Sequence, residues 1–106
     1  MKFLIEASYS IEGAKGVLKN GGGTDRKKKT EKMINELGGK LEAFYYVNNC
    51  DAYVICELPD SASAAAIALT IKASGMGSIK TTLLLEPSEV DKATKLTVKY
   101  RHPGTK

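Results

Sequence analysis

Two sets of residues in this chain have types able to do chemistry. The first is the run Asn48-Asn49-Cys50-Asp51, a thiol and a carboxylate behind two turn formers. A nucleophilic thiol needs a nearby base or a positive field to lower its pKa. The one histidine, His102, lies far off in sequence, and the adjacent Asp51 opposes ionisation of Cys50. Turn chemistry accounts for this segment without a reactive thiol. The second set is dispersed: Glu6, Glu42, Tyr46, Tyr53 and Lys80. If strands bring these to one sheet face, carboxylates enclosed with phenols can bind a small ligand or act as general acid and base. The plainer alternative is a group of satisfied polar residues between two sheets.

Other motifs point away from chemistry. The stretch NGGGTDRKKK (Asn20–Lys29) invites a phosphate-loop reading, because glycine amides at a helix start bind anions. The Walker pattern Gly-x4-Gly-Lys-Ser/Thr is absent. Arg26 to Lys29 read as a solvated basic turn, offset in part by Asp25 and Glu31, and no interleaved aromatics argue for a nucleic-acid partner. One histidine and two separated cysteines have no zinc spacing, and no acidic loop suits calcium. His102, in YRHPG, reads as a tail residue at a subunit contact. Flavin and nicotinamide fingerprints are absent, so neither metal nor cofactor is expected.

These residues must be positioned by a single domain spanning residues 1–106, a length that supports one core. Hydrophobic residues make up 42% and charged residues 26%, which is globular rather than disordered composition. The net charge of +4 permits an acidic partner without demanding one. Two cysteines make no disulfide framework, and reduced thiols suit the cytoplasm. The N-terminus has no signal-peptide pattern, and no segment reaches the ~18 apolar residues of a membrane span.

The elements follow from periodicity. Lys2–Tyr9 alternates as a strand, with Phe3, Ile5, Ala7 and Tyr9 on one face. A helical piece starts at Ile11, is broken by Gly21 to Gly23, and resumes behind Thr24 as N-cap. Thr30, Met33, Ile34 and Leu37 form its apolar stripe, and Gly38–Gly39 ends it. Lys40–Val47 and Ala52–Leu58 read as a hairpin, Ser61–Ser74 as a helix, Ile79–Leu85 as a strand, and Pro87 opens a last helix. The order is β-α-β-β-α-β with a terminal helix, an α+β ferredoxin-like antiparallel sheet.

In that layout Phe3, Ile5, Ala7, Ala52, Val54, Cys56, Leu58, Thr81, Leu83 and Leu85 face the helices. The open face then holds Leu4, Glu6, Ser8, Phe44, Tyr46, Tyr53, Ile55, Lys80, Thr82 and Leu84. That face is too apolar for water, and the helix over Ser61–Ser74 carries alanines all round, with Lys72 its one charge. Both features predict a homo-oligomer, at least a dimer.

From KFLIEASYSIEGAKGVLKNGGG through GGKLEAFYYV, DAYVICELPD, SAAAIALTIKASG, KTTLLLEPSEVDKA and YRHPG, the chain resembles the GYD domain family. The resemblance implies a small prokaryotic protein of the dimeric α/β-barrel type, and carries no established reaction. The family's Gly and Tyr-Asp motif falls on the hairpin: Asn48 stands at the Gly, Cys50 at the Tyr, and Asp51 matches. Related barrels include cofactor-free oxygenases and isomerases as well as ligand binders. The resemblance thus leaves three readings: a binder of a small molecule between sheets, a cofactor-independent enzyme, or an interaction module.

Overall fold

The computed structural model describes residues 1–104. Eight elements follow in order: β1 (Lys2–Tyr9), α1 (Ile11–Lys19), α2 (Gly22–Glu36), β2 (Lys40–Tyr46), β3 (Ala52–Glu57), α3 (Ser61–Ser74), β4 (Gly77–Leu84) and α4 (Pro87–Ala93). The strands form one antiparallel sheet in the order β2-β3-β1-β4. The class is the expected α+β arrangement, with the first crossover split into two helices. Among the described residues no helix is long and apolar enough to cross a membrane.

Local chemistry sets the boundaries. Ser10 caps α1, accepting from the Gly13 amide at 3.1 Å while its own hydroxyl donates to the Gly75 carbonyl at 2.6 Å. Asp60 caps α3 by accepting from the Ser63 amide at 2.8 Å, and Gly75 ends it with φ 74°. Pro87 opens α4, where Glu86 and Glu89 close a reciprocal capping box. The start of α2 differs from expectation. Gly21 and Gly22 take left-handed backbone, φ 95° and 73°, so the helix begins at Gly22 rather than behind Thr24.

The core forms where Phe3, Ile5, Leu41, Val54 and Cys56 of the sheet meet Ile34, Ala64 and Ile67 of the helices. Burial of these side chains removes apolar surface from water, the dominant favourable term in folding. The end of β4 and the residue after it depart from the sequence reading: Leu83 and Leu85 are 46% and 59% exposed. Here β4 is an edge strand, and of its residues only Ile79 packs against the core cluster. α2 lies over β2 and α3 over β4, and the two helices scarcely touch. A cleft therefore remains between them above β1 and β3.

Strand β2 holds the main correction. Its register slips between Leu41 and Ala43, so that Phe44 pairs with Val54 and Tyr46 with Ala52. This bulge turns Phe44 and Tyr46 to the helix side, whereas simple alternation placed them on the open face. Tyr45, opposite Tyr53, takes the open face instead.

Beyond the sheet, every described residue from Leu85 to Gly104 is exposed, including Val90, Leu96, Val98 and Tyr100. The radius of gyration is 17.5 Å and the long axis 59 Å. A compact chain of this length has a radius near ~13 Å, so the C-terminal arm projects away from the body.

Candidate functional site

The central strand β1 places Glu6 directly between two partners. In register it faces Tyr53 of β3 on one side and Lys80 of β4 on the other. Directly paired residues project to the same face of a sheet, so the three side chains stand side by side on the side away from the helices. Ser8, Asp51 and Ser78 join them around a depression of about 290 Å³. Asp51 is placed by the hairpin: its amide donates to Asn49 Oδ1 at 3.2 Å, and Cys50 takes a left-handed φ of 67° to make the turn.

The charges differentiate the three groups. The Glu6 carboxylate raises the Tyr53 phenol above its usual pKa, helped by desolvation and a hydrogen bond to Glu6. Tyr53 therefore stays protonated at neutral pH. Lys80 has no carboxylate within ion-pair distance among the described residues. A ligand here would meet an anionic acceptor, a neutral hydroxyl and a cationic donor within one patch. Such a set can orient a small polar molecule and move a proton between carboxylate and ligand.

The other two expected members lie elsewhere. Glu42 sits at the bulge, where Lys2 Nζ approaches it at 3.1 Å and also reaches Glu86 at 3.3 Å. These carboxylates raise the Lys2 pKa by hydrogen bonding, Glu42 first. Lys2 is four residues along β1 from Glu6, roughly 13 Å at ~3.3 Å per residue. Tyr46 is on the opposite face, its hydroxyl 3.3 Å from that of Tyr9 and its ring edge-on to Phe44. Burial, then the Tyr9 contact, pushes the Tyr46 phenol well above its ordinary value. Asp51 is not among the expected members: the sequence shows it as a turn residue, as the neighbour of Cys50 and as the match to the family motif, not as a partner of Glu6. Its place immediately before β3 was the available signal.

The remaining candidates resolve simply. Cys50 is exposed on the turn and Cys56 is buried; both are free thiols. Burial pushes the Cys56 thiol up to about 11. Arg26 to Lys29 lie in the first half of α2, and Lys29 pairs with Asp25 at 3.0 Å. His102 is exposed, its ring edge-on to Tyr100.

No curated protein and no solved structure gives a significant match to the chain. The family model of the GYD domain matches residues 3–94, nearly the whole chain and every element of the fold. The chain belongs to the GYD domain family.

Proposed function

We propose that the protein is a homodimer that binds a small polar molecule at the open face of its sheet, between the two copies. The observation that carries this reading is the uncovered central strand, where Glu6 stands between Tyr53 and Lys80. Leu4, Ile55 and Leu84 on the same face are only half-buried, and a second sheet would cover them. α4 supports the assembly as well. All seven of its residues are exposed, and an isolated helix shorter than ~12 residues is marginal in water without packing. The free thiols suit a reducing, cytoplasmic setting.

The ligand class follows from the groups present: a molecule offering a donor to Glu6 and an acceptor to Lys80. Thermal-shift screening of small polar metabolites tests it with three variants. A stabilising compound should lose its effect in Glu6→Gln and weaken in Tyr53→Phe, yet keep it in Glu42→Gln, whose side chain is engaged by Lys2. Retention in Glu6→Gln, or no stabilising compound for the wild type, would reject the site. Turnover of such a compound, lost in Glu6→Gln, would make the same site catalytic.

A further inference from the structure

We propose that the cleft on the helix side of the sheet is a second ligand site, built for an amphipathic monoanion such as a medium-chain alkyl carboxylate. It lies across the sheet from Glu6, Tyr53 and Lys80 and does not depend on that site. The cleft has a volume of about 460 Å³, within the ~300–1,000 Å³ typical of small-molecule sites. Ile5 and Val54 form its floor, and Val17, Met33, Ile67 and Ile71 its walls. It exists because α2 and α3 stand over opposite sides of the sheet and scarcely meet. An apolar slot of this size favours an alkyl chain over water.

The charges beside the slot select the head group. Glu12 is paired with Lys15 at 3.6 Å and Asp25 with Lys29 at 3.0 Å. Arg26, half-buried at the same cleft, has no carboxylate within ion-pair distance among the described residues. Each acid at the lining thus has a cation within ion-pair distance, although the buried Asp25 Oδ2 makes no hydrogen bond, and the Arg26 guanidinium is left for an anion. A guanidinium binds a carboxylate through two parallel hydrogen bonds. Tyr9, also at the lining, shares a hydroxyl contact with Tyr46 in which either oxygen can donate, so one O–H of the pair stays available to a further acceptor. An apolar slot whose lining also holds an unmatched arginine and a phenol is complementary to a carboxylate with a tail.

Gly16 provides a position from which a side chain can be grown toward the cleft. It borders the cleft, and a Cβ built on it meets no atom within 4 Å. Isotope-labelled full-length protein is titrated with hexanoate, octanoate, decanoate, decanol and acetate, all below micelle-forming concentrations, and followed by amide NMR. Decanoate should shift amides near Val17, Arg26, Ile67 and Ile71 saturably, and acetate should not. Each added methylene should tighten binding about two- to fourfold. Arg26→Gln should weaken decanoate about tenfold and leave decanol unchanged. Gly16→Leu should keep the amide spectrum of the sheet and lose both ligands. No decanoate binding, tail-independent affinity, or an unaffected Arg26→Gln would overturn the proposal. So would shifts centred on Tyr53 and Lys80, or intermolecular contacts placing Leu96 and Val98 of a second copy in the cleft.

Discussion

Replacing a glycine of α1 by alanine should have opposite effects at two positions three residues apart. Gly13 is buried in the first turn, and a Cβ there would overlap the Met76 carbonyl oxygen and come within 3.3 Å of the Tyr9 ring. Met76 cannot yield by rotating a side chain, because the obstacle is backbone that also accepts the Ser10 amide at 2.9 Å. Gly13→Ala therefore pushes α1 from the start of β4 and loosens the Ser10 cap. Overpacking of this kind costs ~1–3 kcal/mol, toward the upper end when backbone must move. Alanine returns at most ~1 kcal/mol in helix propensity, so the net loss is about 2 kcal/mol. At Gly16 the added methyl meets nothing within 4 Å, and the propensity gain of ~0.5–1 kcal/mol stands alone. For a domain this size ~1 kcal/mol moves Tm by roughly 4 °C or more. Gly13→Ala should melt about 8 °C below wild type and Gly16→Ala about 2–4 °C above it. Urea titration and thermal melts by circular dichroism, at one fixed protein concentration, read both. A Gly13→Ala variant as stable as wild type would refute the close approach of α1 to Met76.

Three further outcomes follow from the same geometry. The Ser63 hydroxyl and amide hold the Asp60 carboxyl below its ordinary pKa. Its contribution is present above the unfolded value of ~3.9 and is lost as pH falls through the lower folded value. Asp60→Ala should thus lower stability at neutral pH and flatten the acid limb of the pH–stability curve; an unchanged limb would contradict the cap. Thiol titration should find Cys50 reacting promptly and Cys56, buried with its pKa pushed up to about 11, reacting only on unfolding. Since Cys50 holds a left-handed φ of 67°, Cys50→Gly should stabilise by ~0.5–1 kcal/mol in urea titration; a loss would show that its side chain matters.

Much of the fold was legible because local signals agree with the tertiary arrangement. β1 alternates cleanly through Phe3, Ile5 and Ala7, and Asp60 and Gly75 bracket α3 with the residues that caps demand. Alternation in β1 and β3, and the single Ile79–Lys80 step at the start of β4, is also why Glu6, Tyr53 and Lys80 fall on one face. β2 defeated the same logic. Between Leu41 and Tyr46 apolar or aromatic side chains occupy both phases, so nothing in the pattern marks the bulge that re-aims Phe44 and Tyr46. Glu42 stayed on the open face, but its partnership with Lys2 depends on a contact between strands distant in sequence. The helix-side cleft was hidden for a different reason. Its opening depends on how far apart α2 and α3 stand, and no residue pattern encodes that spacing.

The most direct test of the account is the solution mass of the wild type and of Ile55→Lys, measured by light scattering at micromolar concentration. Ile55 lies on the open face beside Leu4, its register partner, and a lysine there is tolerated by water but not by a second sheet. The account predicts twice the 11.4 kDa chain mass for the wild type, and a folded single chain for Ile55→Lys. A wild type at the mass of one chain, or an Ile55→Lys variant that remains a dimer, would contradict pairing through the open face of the sheet.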